Sequence, residues 1–518
     1  MTTRRPALDP DALSMEAIRS GLLDGATVTV LGFARSGIAL ARFLANAGAR
    51  VTVYDGRPAL ELSDAIAALD GRSVTLALGP EVDPASTWAD AVLVTTSPSI
   101  NPDYPTTEPR LRAALQALVA GRAAGDDTAP ALVSEPDLFL RLCVAPTIGV
   151  TGTKGKTTTA SLIAAILAAD PRHPVDLGGN IGVPILERLD ELTPDHRVVY
   201  ELSELQLPTL SRGTTVAVYT NVTSDHLDRH GSLEAYRSVK RILAERVDPA
   251  GALVLNVEDP VVASYGELTT TPVVRYRRDE PLPGGLGVVD AWIVADRVLR
   301  LAAAGGGTAE TGPGGRILPI AELGIPGAHN VSNALAAVAA GLLFGVPPEA
   351  IREAAAAFTG VEHRLEPVAT VDGVRFVNDS MGTQPDAVIA ALRAFDPPIV
   401  LIAGGRDKGV EINELVSVAG ERLAAAVMIG ESGPDIGRRF AAAGVPIVQP
   451  AASMSEAVER ADSLARAARA TNDPGAVATV LLSPAAASFD MYGDYAARGR
   501  AFKDAVADLV RARAGSRR

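Results

Sequence analysis

Gly152-Thr153-Lys154-Gly155-Lys156-Thr157 follows a short apolar run and opens a stretch of helical pattern, Thr158–Ala168. Glycines there let backbone N–H groups approach a polyphosphate, and a helix N-terminus adds its dipole. Lys156 could neutralise β/γ-phosphate charge, and the Thr157 hydroxyl could hold Mg²⁺. The general spacing G-x-x-x-x-G-K-[ST] is not met, because position 150 is Val and Gly149 stands one place early. The alternative is an ordinary glycine-rich turn between strand and helix.

Three further groups lie downstream. Glu201 closes the apolar run Arg197–Tyr200, and the carboxyl end of a sheet strand is where an ATPase places a metal-binding carboxylate. Asn221-Val222-Thr223-Ser224-Asp225-His226-Leu227-Asp228 follows another run, Val216–Thr220; His226 is either a ligand or a loop hydrogen-bonder. Lys240 shares a helical stripe with Tyr236, Leu243 and Val247. That pattern alone favours a lysine snorkelling to water. A partly neutral buried amine is the other option, and CO₂ could convert it to a metal-binding carbamate.

Nearer the N-terminus, Gly32-Phe33-Ala34-Arg35-Ser36-Gly37 follows the run Thr27–Leu31, and Asp55 closes the next run, Val51–Tyr54. This is a dinucleotide fingerprint with Ala34 in place of its middle glycine, which hinders close approach of a pyrophosphate; Asp55 could still bind a ribose or uracil group. A structural turn, or a nucleotide other than NAD, fits better than NAD. Toward the C-terminus, four polar clusters are expected to follow β-type segments: His363-Arg364, Asn378–Thr383, Gly404–Gly409 and Ser483–Asp490. Turns after parallel strands share a sheet edge, so the four could line one cleft.

Such groups need a scaffold. Runs of Val, Ile and Leu alternate with Ala-rich amphipathic stretches, the pattern of parallel sheets covered by helices. Further strands are expected at Thr147–Val150, Pro398–Ala403, Ala425–Ile429 and Ala478–Leu482, with helices at Gly37–Ala47, from Ser232, and at Asn333–Phe344. The 518 residues suit three or four domains, and the pattern reads as three α/β domains. Gly121–Pro130 and Pro281–Gly315 read as insertions, the second as a flexible surface segment. Lys plus Arg number 48 against 61 Asp plus Glu, a net charge of −13; such a field does not bind nucleic acid or anionic membranes. The single cysteine, Cys143, excludes an intrachain disulfide and fits a reducing compartment. The first residues place Pro and acids where a secretory signal has an apolar core. The longest uncharged apolar run, Ala334–Val346, is too short to span a bilayer. A soluble, cytoplasmic protein is expected.

Taken in order, GFARSG, YDGRP, TSPSINP, GTKGKTTT, GGNIGVP, ELSELQL, NVTSDHLDRHGSLEAYRSVK, GAHNVSNALAA, GVEHRLE, NDSMGTQPDA, GGRDKG and SPAAASFDMYGDYAARG resemble the Mur ligases of peptidoglycan synthesis. The shortened phosphate loop is the form that family uses. The resemblance implies an α/β fold of three domains: a Rossmann-like one at 1–143 for the UDP substrate, a central P-loop ATPase-type mixed sheet at 144–361, and a Rossmann-like one at 362–518 for glutamate. It implies ATP-dependent addition of D-glutamate to UDP-N-acetylmuramoyl-L-alanine through an acyl phosphate. A monomer is expected, with no nucleic-acid or membrane partner.

Residue by residue, the resemblance assigns ATP to Gly152, Thr153, Lys154, Gly155, Lys156, Thr157 and Thr158, with Asn330, His363, Arg364 and Asp379. It makes Lys156, His226 and Lys240 catalytic. Two Mg²⁺ sites fall to Thr157, Glu201, His226 and Lys240, the lysine as a carbamate, which reverses the snorkelling preference. Ser36, Asp55, Arg57 and Asn180 match the UDP-substrate pocket, and Thr383, Lys408, Ser488 and Tyr495 the glutamate pocket. Met381 stands where the family often has lysine, Gln384 where asparagine is commoner, and TSPSI where Ser-Pro-Gly is usual. An L-glutamate-specific version and another Mur or folylpolyglutamate-type ligase are the alternatives within ligases. An NAD-dependent oxidoreductase would leave the phosphate loop unexplained, and a non-catalytic nucleotide binder would leave Lys156, Glu201, His226 and Lys240 unexplained together.

Overall fold

The computed structural model describes residues 6–181, 184–223, 230–406, 411–472 and 477–516; His226 and Lys408 lie outside them. The chain forms two compact units, Met1–Phe358 and Thr359–Arg518.

The first unit holds two sheets. Strands β1 (Thr27–Leu31), β2 (Arg50–Asp55), β3 (Val74–Leu78), β4 (Leu93–Thr96) and β5 (Ala131–Ser134) lie in the order β3-β2-β1-β4-β5, all parallel. Val28, Val30 and Leu31 are fully buried, as expected for a strand covered on both faces. The second sheet contains β6 (Thr147–Thr151), β7 (Val175–Gly179), β8 (Arg197–Glu201), β9 (Val216–Tyr219), β10 (Ala252–Asn256), β11 (Val273–Tyr276), β12 (Leu286–Val289), β13 (Trp292–Ala295) and β14 (Arg316–Pro319), in the order β14-β13-β12-β11-β10-β9-β6-β8-β7. It is mixed: β7 to β12 are parallel and the β13 and β14 pairings antiparallel.

That edge corrects one expectation. Pro281–Gly315 is not an unpatterned flexible insertion, since it supplies β12 and β13. Asp290 and Ala291 join them at φ 49° and 61°, the conformation of a two-residue hairpin turn that Asn-Gly usually signals. A continuous apolar core runs from Leu13 to Tyr265 through both sheets, with Leu142 and Ala145 on either side of position 143.

Helices begin earlier than their apolar patterns do. The helix expected from Thr158 spans Lys156–Ala168, with Gly155 at its start in the left-handed region (φ 86°). The helix expected from Asn333 spans Ala328–Leu343 after Gly327 (φ 106°). Polar first turns hide from a hydrophobic-periodicity reading, and a glycine lets the backbone turn into each helix. The two helices pack closely at Gly341, where a Cβ would stand 2.6 Å from Ile166 Cγ2.

The second unit contains β15 (Glu366–Val371), β16 (Val374–Asn378), β17 (Ile399–Ala403), β18 (Leu423–Met428), β19 (Val448–Pro450) and β20 (Ala478–Leu482), in the order β15-β16-β20-β17-β18-β19. Among these described strands, β15 pairs antiparallel with β16 and the other pairings are parallel. Parallel β16, β20 and β17 are neighbours, so their carboxyl-terminal turns fall on one edge.

Candidate active site

The glycine loop follows β6 and is closed from behind by β9's continuation. Thr153 N–H donates to Asn221 O (2.7 Å), Lys154 N–H donates to Asn221 Oδ1 (2.9 Å), and Thr220 Oγ1 donates to Lys154 O (2.7 Å). A Cβ on Gly152 would meet Thr220 Oγ1 at 2.0 Å, and one on Gly155 would meet Asn333 Oδ1 at 2.6 Å. Lys156 Nζ donates to Gly152 O (3.1 Å) and Thr153 O (2.9 Å), so the ammonium curls over the loop. Thr157 is buried beneath it.

A cavity of about 1120 Å³ adjoins this loop, walled by Lys154, Gly155, Asn221, Arg237, His329 and Asn333 among others. Asn330 does not line it: its amide donates to Pro326 O (2.7 Å) and its Oδ1 accepts from Asn333 Nδ2 (3.1 Å). Asn333, one turn further along the helix, is the side chain that reaches the loop, accepting from Thr159 Oγ1 (3.2 Å). Sequence reasoning missed Asn333, Arg237 and His329. The signal for Asn333 was a polar residue recurring three positions after Asn330, at the last polar position before the helix turns apolar.

Glu201 ends β8, in register with Val150 of β6, and is 1% exposed. Asn180 Nδ2 donates to its Oε1 (3.0 Å), while Oε2 is buried without a partner among the described residues. Lys240 contradicts the snorkelling expectation: it is fully buried. Its Nζ lies 3.4 Å from Thr151 Oγ1 and 5.5 Å from the Tyr236 ring centroid. The helix Leu233–Arg246 turns this face inward, with Tyr236 and Leu243 buried beside it. Among the described residues, no three His, Cys, Asp or Glu side chains cluster as a metal site. The orphaned carboxylate oxygen of Glu201 nevertheless fits a cation, and a cation there would need donors such as water, phosphate or a carbamate beside it.

At the first sheet, Asp55 accepts from Phe33 N–H (2.9 Å) and pairs with Arg57 through two bonds of 3.0 and 2.8 Å. Burial alone would raise its pKa, but the Arg57 and backbone donors outweigh it and hold the carboxylate below its ordinary value. Asp55 lines a cavity of about 320 Å³ with Gly32, Tyr54, Ile100 and Thr107. Ser36 and Asn180 line a second, of about 140 Å³. A Cβ on Gly37 would stand 1.8 Å from Gly32 O, so the turn itself demands the last glycine of the fingerprint.

In the second unit, the turns after β16, β20 and β17 do meet. Asp379 accepts from Ser483 Oγ (2.6 Å) and Leu365 N–H (3.2 Å), and burial pushes its carboxyl up to about 6. Arg406 N–H donates to Ala487 O (2.9 Å). Contrary to expectation, His363-Arg364 does not follow a strand. It precedes β15, and reaches the same edge because β15 runs antiparallel, pairing Glu366 with Asn378. Asn378 Nδ2 donates to the buried His363 at Nδ1 (2.9 Å); burial lowers the imidazole pKa against the pull of Glu362 and Glu366. Tyr495 opens the last helix, its ring 6.2 Å from that of His363, and Ser488 is buried nearby in sequence to Ala487.

Arg498, which sequence reasoning also missed, ties these turns together. It is 1% exposed. Its Nε donates to Ser380 Oγ (3.0 Å), Nη2 to Ser380 O (3.0 Å), and Nη1 to Ala486 O (3.1 Å) and Ala487 O (3.2 Å). Nη1 also lies 3.2 Å from where a Cβ on Gly405 would be.

A glycine loop opening on a large cavity, with a buried carboxylate at a neighbouring strand end, is the equipment of a phosphate-handling enzyme. The Mur ligase middle domain model matches residues 150–341, and the Mur ligase glutamate ligase domain model matches residues 363–486. UDP-N-acetylmuramoylalanine–D-glutamate ligase of Symbiobacterium thermophilum is 40% identical over 487 residues, covering 93% of this chain and 97% of that protein. The ligase of the same name from Pelotomaculum thermopropionicum is 37% identical over 487 residues, with the same two coverages, 93% and 97%. A solved structure of MurF from Acinetobacter baumannii is similar at a TM-score of 0.48 and 16% identity, covering 98% of this chain and 99% of that one. The chain belongs to the Mur ligase family.

Proposed function

We propose that this protein joins D-glutamate to UDP-N-acetylmuramoyl-L-alanine, forming ADP and phosphate, as a step of peptidoglycan precursor synthesis. The observation that carries the reading is the phosphate loop beside Glu201 on the neighbouring strand, with the buried Glu201 Oε2 unpartnered among the described residues; full-length relatives of that name support it. The division of labour follows the sequence: residues 1–143 for the UDP moiety, 144–361 for ATP, 362–518 for glutamate.

The alanine carboxylate oxygen attacks the γ-phosphorus of ATP, the bond to the β-γ bridging oxygen breaks, and ADP leaves. The glutamate ammonium gives one proton to solvent, its amine attacks the carbonyl carbon of the acyl phosphate, and the nitrogen gives up a second proton to solvent or the departing phosphate. The tetrahedral adduct collapses to an amide as inorganic phosphate departs. Several anions must meet, so fixed positive charge is required at the phosphates. Lys156 and the loop N–H groups would supply it, orienting the γ-phosphoryl group. Thr157, Glu201, His226 and Lys240, the last as a carbamate, would hold two Mg²⁺, which screen phosphate charge and polarise the transferred group. A carbamate suits the position of Lys240, since it replaces a buried cation beside Thr151 with an anion able to hold metal. Ser36, Asp55, Arg57 and Asn180 would seat the UDP substrate. Asn330, His363, Arg364 and Asp379 would serve ATP, and Thr383, Lys408, Ser488 and Tyr495 glutamate; Asn330 would act through Asn333.

The test is isotopic. With ¹⁸O in the alanine carboxylate of the substrate, one label per turnover should appear in released phosphate. Label retained wholly in the amide product would overturn the acyl-phosphate route.

A further inference from the structure

Glu135 is the first residue of the helix Glu135–Leu142, behind Ser134, whose hydroxyl accepts from Asp137 N–H. It is 4% exposed, yet its carboxyl makes no hydrogen bond or ion pair with any described residue. A buried carboxyl left so is costly unless something completes it. It lines the cavity of about 140 Å³ at the meeting of the first two sheets, together with Arg35, Ser36, Ser99, Asn180 and Gln206.

The same cavity is also lined by a positive group. Arg35 and Ser36 are the first two residues of the helix Arg35–Asn46, and Ala34 before them provides no side-chain cap. Uncapped first-turn N–H groups, a guanidinium and a hydroxyl make an anion seat. An ionised Glu135 facing an anion there would repel it, whereas a neutral one has an O–H to donate.

We propose that Glu135 is a positioning residue for the UDP-linked substrate: as a neutral acid, its carboxyl O–H donates to an oxygen of the diphosphate seated at the Arg35–Ser36 turn. The inference rests on the reading that this turn receives the UDP moiety. Among the described residues, the charged and titratable groups facing Glu135 are Arg35 from the first turn of the helix after β1 and the phenol of Tyr200 from β8. Burial pushes the carboxyl up to about 7, with Arg35 pulling the other way. A bound anion raises it further, so binding takes a proton from solvent. The diphosphate diester and the alanine carboxylate have no group of their own that titrates near neutrality.

Isothermal titration of the full chain with UDP-N-acetylmuramoyl-L-alanine, in paired buffers of different ionisation enthalpy from about pH 6 to 9, reads this directly. The wild type should take up about half a proton or more per ligand near pH 8. Its Kd should weaken above about pH 7, by up to roughly tenfold per pH unit, the limit for one proton. Glu135→Gln keeps a donor without the titration; its Kd should match that of the wild type at about pH 6 and stay flat, with no proton uptake. Binding by the wild type without proton uptake overturns the inference whatever the variant does, and so does an unchanged pH slope in Glu135→Gln. No binding by the wild type at any pH overturns the functional reading, and this inference with it.

Discussion

Asn180 holds Glu201 by one oxygen: its amide donates to Oε1 at 3.0 Å, and Oε2 is left buried and unpartnered among the described residues. Asn180 therefore fixes the orientation of this carboxylate. Glu201→Gln should raise the Mg²⁺ concentration for half-maximal activity by two orders of magnitude or more. Asn180→Ala, which frees the carboxylate to turn, should raise it roughly tenfold, the usual effect of losing a partner that orients a ligand. Magnesium titrations of ADP formation check both, and an unchanged requirement in Glu201→Gln would place the cation elsewhere.

Lys240 is fully buried next to Thr151. If its role is that of a carbamate, Lys240→Ala should be inactive and partly rescued by a small carboxylate such as formate or acetate. Full activity without additive would make the lysine structural.

Asp379 is buried at a cost to stability. Its carboxyl is raised from the ordinary 3.8 to about 6, chiefly by burial, with Ser483 and Leu365 pulling down. Between these values the folded chain binds more protons than the unfolded one, so stability falls as pH rises through that window and stays lower above it. Asp379→Asn should remove the fall. At pH 7.5 we expect a gain on the order of 1–3 kcal/mol in unfolding free energy, together with loss of ligation. Denaturant melts of both proteins at about pH 4 and 7.5 check the sign: the gain should be present only at the higher pH.

Arg498 is the fork between the turns after β16 and β20, donating to Ser380, Ala486 and Ala487. Lysine cannot reproduce that planar fork. Arg498→Lys should raise the KM for glutamate roughly tenfold or more while the KM for the UDP substrate stays within about twofold. Equal rises in both would contradict an effect confined to the glutamate side.

The sequence was most legible where one local rule governs. A glycine-rich loop between an apolar strand and a helix needs no tertiary information, and Gly152 and Gly155 sit where a side chain would collide. The edge shared by Asn378, Gly404 and Ser483 followed from parallel strand topology, which brings β16, β20 and β17 together. What stayed hidden depends on distant partners. Periodicity cannot tell whether a lysine on an apolar stripe snorkels, because that is decided by what packs over it; Lys240 is covered. Arg498 looked like one charge among many on a long helix, and its four acceptors lie up to 118 positions away. The β12–β13 hairpin went unseen because Asp290-Ala291 adopts a turn that glycine normally announces.

Phosphate release from ATP in the presence of UDP-N-acetylmuramoyl-L-alanine, with D-glutamate and L-glutamate supplied separately, tests the central claim most directly. Stoichiometric release is expected with D-glutamate and none above background with L-glutamate, despite Met381 in the turn after β16. Release with L-glutamate alone would keep the ligase and reverse its chirality. Silence with both, from a folded chain that binds ATP, would contradict the assignment of substrates.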